Sequence, residues 1–163
     1  MRCHEESAAG VRMKSQIPNS KNIGTFDGVS ADQMYREHIL DHYKNPRNHG
    51  TLATKNTLHM HDVNPLCGDE IDMYVEIKNN KISEIKFSGK GCAISQSSAS
   101  ILTEEIKKSK KDINDIAKLS REDLQDLLGI DITAMRVKCM MLPLKVVKMI
   151  IYKHLGKKME GEE

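Results

Sequence analysis

Tryptophan is absent from the 163 residues, and only two phenylalanines and four tyrosines are present. A core must therefore be built from Ile, Leu, Val and Met. Long apolar runs are missing as well: nothing approaches the ~20 residues that span a bilayer. Residues 1–30 hold no apolar h-region of a secretory signal, and Glu5, Glu6 and Asp27 argue against an acidic-poor transit peptide. Neither charge dominates. Lys and Arg total 25 against 23 Asp and Glu, a formal net charge of +2, and no basic stripe suggests a nucleic-acid partner. No CxxC pair occurs, which excludes the compact zinc ribbon and the thioredoxin-type couple. With no export signal, the four cysteines are expected to be reduced thiols in a cytoplasmic compartment. That argues against Cys67 pairing with Cys92 or Cys139.

One domain with a real core fits this length. Residues 1–29, rich in Ser, Gly, Asn and Lys and without periodicity, read as a flexible extension. Cys3 and His4 in it are too few and too loosely held for a metal site. Ser30 is a plausible N-cap for a helix carrying Tyr35, Ile39 and His42, which Asn45-Pro46 ends. Residues 48–50 form a turn, and 57–62 a short strand with Leu58 and Met60 opposite His59 and His61. Ile71, Met73, Val75 and Ile77 alternate with polar residues as a half-buried strand. Asn79-Asn80 suits a type I′ turn into a return strand over 81–88. There Ile82, Ile85 and Phe87 break the alternation once, which predicts a bulge. Past Gly91 the period becomes helical. A short helix around Ile113 and Ile116 follows, then one opened by Ser120 and Asp123 and closed by Gly129. A last helix is placed with Pro143 in its first turn and Cys139 just ahead of it. Residues 30–157 form the domain, and 158–163 a frayed acidic tail. The predicted class is α+β: a small three-stranded antiparallel sheet with helices packed on one face.

Three cysteines stand in unusual company. Cys67 lies in a strand-to-strand loop beside Gly68 and Asp69, and Cys92 at a helix start, where free N–H groups favour a thiolate. Cys139 has the cations Arg136 and Lys138 next to it. Three thiolates and the Asp69 carboxylate make four ligands, enough to close a tetrahedral site. Their wide separations mean that the fold must assemble such a site near an edge. The histidines lack ligand spacing with any cysteine and read as surface or packing residues, with His61 alone close enough in sequence to lie beside the site. The ten methionines read as core filling.

Asn64-Pro-Leu-Cys67-Gly-Asp69, Gly89-Lys-Gly-Cys92-Ala-Ile-Ser95 with the following Gln-Ser-Ser-Ala-Ser100, and Arg136-Val-Lys-Cys139 resemble the three cysteine signatures of the U-type iron–sulfur assembly scaffolds. These are the family of IscU, SufU and the NifU N-terminal domain. The helix running from Met34 into Asn45-Pro46 and on to Gly50 is similar to that family's N-terminal segment, and the likeness extends over about residues 33–155. It implies that Cys67, Cys92 and Cys139 hold a transient [2Fe–2S] cluster or Zn2+, with Gly68, Arg136 and Lys138 around them. Asp69 would help to hold the metal and keep the cluster transferable. It implies a scaffold without turnover chemistry of its own, which takes sulfur from a cysteine desulfurase onto Cys139 or Cys67. Iron and electron donor proteins and acceptor apoproteins would be its other partners. The alternative is a zinc-dependent SufU-like sulfurtransferase that relays persulfide. Two departures separate this chain from IscU-type members. Lys138 stands where they carry a histidine, and residues 132–138 replace the Leu-Pro-Pro-Val-Lys stretch read by a dedicated Hsp70-type chaperone, which argues against that partnership. Arg136 and the serine run are closer to SufU, whereas the insertion usual before the third SufU cysteine is missing.

Overall fold

A computed structural model describes residues 30–156. The predicted extension over 1–29, with Cys3 and His4, and the tail over 158–163 lie outside the described residues. The chain runs α1 (Ala31–Lys44), β1 (Leu58–Asn64), β2 (Asp69–Lys78), β3 (Lys81–Lys90), α2 (Ala93–Ser109), α3 (Ile113–Ala117), α4 (Arg121–Leu128) and α5 (Ala134–Leu155). The strands form one antiparallel sheet in the order β1-β2-β3. The α+β architecture read from the sequence is the one observed.

Period two sets the face of the sheet. Ile71, Met73 and Val75 of β2 and Ile85 and Phe87 of β3 are fully buried, beneath α2 and α5. The polar residues between them face outward, as the pleat requires. Asn79 and Asn80 both adopt positive φ, 52° and 58°, the pair of values a type I′ turn needs. The predicted bulge is present. Glu76 pairs with Glu84 and Ile77 with Ile82, so Ser83 is the extra residue, and Ile82 and Ile85 both turn inward.

The caps follow the side-chain chemistry. Ser30 accepts from the Gln33 N–H, and Ser120 and Asp123 exchange bonds as a complete capping box. The turn after α1 is tied to the outer edge of β3: Gly50 N–H donates to the Phe87 carbonyl at 2.8 Å, and Phe87 N–H to that of Asn48 at 3.0 Å. Behind it α1 lies on α2. The His42 ring is 1 % exposed, with Nδ1 2.7 Å from Ser100 Oγ.

Among the boundaries that differ from the sequence reading, two bear on the cysteines. β1 runs two residues further, to Asn64, which pairs with Asp69 at the start of β2. The connection carrying Cys67 is thus only Pro65 to Gly68. More consequentially, α5 begins at Ala134 and holds Pro143 in its interior, so Cys139 sits in the second turn and not ahead of a helix. Proline forbids only the one bond its N–H would give to the Cys139 carbonyl. The buried stripe Met140, Leu144, Val147 and Ile151 holds the helix together across that gap.

A candidate metal centre of three sulfurs and a carboxylate

Each functional side chain is placed by a local device. In the β1–β2 connection, Asn64 Oδ1 accepts the Leu66 N–H at 3.1 Å, and the Asn64 carbonyl accepts that of Gly68 at 2.8 Å. Gly68 takes φ 71°, the left-handed value that lets so short a loop close. Asp69, 2 % exposed, opens β2. Its Oδ1 accepts the backbone N–H of Cys92, the N-cap of α2, at 2.9 Å. Gly91 permits this approach: a Cβ there would stand 2.5 Å from Asp69 Oδ1 and 2.8 Å from Ser95 Oγ.

The sulfurs gather around this carboxylate. Cys67 Sγ donates to Asp69 Oδ2 at 2.9 Å and lies 3.1 Å from Cys139 Sγ, and Cys92 Sγ is 3.4 Å from the same oxygen. Cys67, Asp69 and Cys139 offer donor atoms all within 4.8 Å of one another. All three cysteines are free thiols; Cys67 is exposed, Cys92 half-buried and Cys139 buried. They share an open cleft of about 640 Å³, which Arg136 also lines. Leu66 and Met135 rise at its rim, 74 % and 88 % exposed. Lys138 is not in this cleft. It lines the adjacent groove with Lys145 and Met141.

Electrostatics distinguish the members. Burial works to raise the Asp69 carboxyl, but the bonds it accepts from the Cys67 thiol, the Cys92 N–H and the Cys139 and Cys92 thiols outweigh it and hold the group below the usual carboxylate range. Cys139 moves the other way. Burial pushes its thiol far up, and the protons shared with Cys67 and Asp69, then the charges of Cys92 and Asp69, push it further. The sequence expectation that Arg136 and Lys138 would favour a Cys139 thiolate is therefore corrected: burial of Cys139 in the second turn of α5 outweighs two cations that are themselves exposed. A cation reverses this balance, because a metal takes the proton's place on sulfur. Soft thiolates with one carboxylate suit zinc or iron; Cys67, Cys139 and Asp69 stand close enough to share one ion, and Cys92 lies outside that group, beside Asp69 Oδ2.

His61 does not join the site; with His59 it shares Asp72 Oδ1, at 3.2 and 2.8 Å. The residue whose role the sequence reading missed is Asn64, 5 % exposed, with Nδ2 3.6 Å from Cys139 Sγ. Its signal was there: an Asn just before Pro at a strand end is a candidate side-chain-closed turn.

The same motifs mark known proteins. Residues 34–161 match the sequence profile of the NifU-like N terminal domain. The zinc-dependent sulfurtransferase SufU of Bacillus subtilis is 34% identical over 145 residues, which cover 78% of this chain and 96% of that protein. The iron-sulfur cluster assembly scaffold protein IscU of Thermotoga maritima is 33% identical over 129 residues, 71% of this chain and 90% of that one. Among solved structures, a SUF-system protein from Fervidobacterium islandicum superposes with TM-score 0.59 at 27% identity, over 71% of this chain and 94% of that chain. The N-terminal part of a NifU-like protein from Brucella abortus shares the fold, with TM-score 0.65 at 17% identity over 78% of this chain and 98% of its own. Motif, profile and fold agree over the same stretch of residues, and the chain belongs to the NifU-like N-terminal domain family.

Proposed function

We propose that this protein is an iron–sulfur cluster assembly scaffold, with Cys67, Asp69, Cys92 and Cys139 as the residues that hold the cargo. One observation carries the reading: three thiols and a buried carboxylate converge in an open cleft, with one sulfur exposed and another deep. A permanent structural zinc needs no such opening, whereas a cargo that enters and leaves does. Exposed Cys67 is the group that meets incoming sulfur. Its thiolate attacks the outer sulfur of a desulfurase persulfide, the S–S bond of the donor breaks, and the desulfurase thiolate leaves, so the sulfane sulfur changes owner without net oxidation. Two electrons from a donor protein reduce each delivered sulfane sulfur to sulfide and return the Cys67 thiolate; iron joins on the cysteine sulfurs and Asp69, and the finished [2Fe–2S] unit passes to an acceptor apoprotein. The protein on this reading is a carrier, and a cysteine desulfurase, iron and electron donors and acceptor apoproteins are its partners. Among the described residues no helix is long and apolar enough to cross a membrane.

Anaerobic incubation with Fe2+, cysteine, a desulfurase and a dithiol reductant is the test. A visible sulfide-to-iron charge-transfer spectrum, transferable to an apo-ferredoxin, is the expected result. Zinc retained throughout with no cluster formed would sink the reading.

A zinc-dependent persulfide relay is the second reading. It is favoured by the likeness to Bacillus subtilis SufU over nearly all of that protein's length and by Arg136 in the cleft. Zn2+ on the same donors would act as a Lewis acid that keeps the sulfurs ionised. Metal and sulfide content of protein isolated anaerobically separates the two: zinc without sulfide supports the relay, iron with equimolar sulfide the scaffold.

A further inference from the structure

We propose that Asn64 is a positioning residue for the Cys139 sulfur, so that the three sulfurs of the cleft are held inequivalently. The inference rests on the metal-centre reading above and adds a residue to it. Asn64 closes β1, and each of its polar groups is engaged. Its carbonyl and Oδ1 accept the Gly68 and Leu66 N–H groups; these are turn bonds, and an aspartate would serve them equally well. The third bond is of another kind. Nδ2 donates to Cys139 Sγ at 3.6 Å, from the sheet to α5 across 75 residues of chain, onto a sulfur whose residue is 4 % exposed.

Cys67 and Cys92 have the Asp69 carboxylate as polar neighbour. Among the described residues, Cys139 alone also has an amide donor. A donor on a ligating sulfur draws charge from it, fixes its orientation and alters the electronics of the metal it holds. Because the same residue shapes the Cys67 loop through its other two bonds, loop and deep sulfur are set by one side chain. Cargo is thereby anchored at the deep sulfur of Cys139, while the exposed side of the cleft, with Cys67, is where it enters and leaves.

Two measurements test this. In metal-free, 15N-labelled protein the Asn64 Nδ2H2 resonances should move on Cys139→Ala and stay on Cys92→Ala; resonances unmoved by Cys139→Ala overturn the proposal. Co2+ is the probe for the consequence. Asn64→Asp keeps the turn acceptor and the size but loses the donor, and Asn64→Leu keeps the shape with neither. Both should shift the thiolate-to-cobalt charge-transfer band to longer wavelength and weaken Co2+ binding roughly tenfold or more. A turn-only role leaves the Asp variant at the wild-type band, and a pure charge effect leaves the Leu variant there; either result overturns the assignment. If wild-type protein gives no thiolate-to-cobalt band at all, the metal-centre reading fails, and the NMR comparison still decides whether Asn64 holds Cys139.

Discussion

Asp69 is the residue on which the cleft turns, because one carboxylate meets a backbone N–H and three thiols, and Gly91 leaves it room. Oxygen is a harder and weaker partner than thiolate for iron and zinc, so on the proposed reading it would be the ligand that exchanges first. Asp69→Ala is expected to take up metal or cluster still, and to transfer it to an apo-ferredoxin several-fold more slowly. Transfer at the wild-type rate would reduce Asp69 to an anchor for the Cys92 turn. Cys67→Ser, Cys92→Ser and Cys139→Ser should each abolish cluster formation in the anaerobic assay, because serine oxygen is a poor replacement for a soft ligand. Cys3→Ser should leave assembly unchanged.

Between elements, α1 is held to α2 through a buried polar knot. Ser100 Oγ accepts the Arg47 N–H at 2.8 Å and lies 2.7 Å from His42 Nδ1. Nε2 faces Glu104 at 3.7 Å, and the His38 ring packs edge-on at 4.5 Å. Burial first, then the charges of Arg47 and His38, lower the His42 pKa to about 4, with Glu104 and Asp41 opposing. Its unfolded value is about 6.5. The folded-state pKa is depressed, so the contribution is present in full above about pH 6.5. It declines as pH falls toward 4, because the unfolded chain takes up a proton there that the folded chain refuses. The loss should be on the order of 3 kcal/mol across that window. Urea titrations between pH 7 and 4 should show it, and His42→Gln should flatten the slope. An unchanged slope in that variant would assign the acid sensitivity to other groups.

For the molecule as a whole, the donors come from β1–β2, the start of α2 and the second turn of α5, so a metal bridged among them ties sheet to helices. Binding to the folded state alone adds RT ln(1 + [L]/Kd), about 4 kcal/mol at a thousandfold excess over Kd. Zn2+ should therefore raise the melting temperature by several degrees in calorimetry, chelation should return it to the metal-free value, and Cys139→Ser should remove the response. A melting temperature indifferent to Zn2+ would mean that the donors never close around it.

The elements were legible along the chain because each rests on short-range chemistry. Alternation placed the sheet face, two asparagines made the turn, Ser30, Ser120 and Gly129 marked helix ends, and one break in period marked the bulge at Ser83. The cysteine motifs and their family were equally plain, since loop glycines and a carboxylate beside a thiol are local patterns. The limits of α5 were not. Pro143 reads locally as a start, and only burial of Met140, Leu144, Val147 and Ile151 against the sheet carries the helix through it. Burial likewise decided what flanking charge could not: Cys139 is deep and holds its proton, Cys67 is exposed, and Lys138 turns to a neighbouring groove. Asn64 shows the division most clearly, because its turn is written in Asn-Pro, but its bond to a sulfur 75 residues away exists only once the sheet and α5 have packed together.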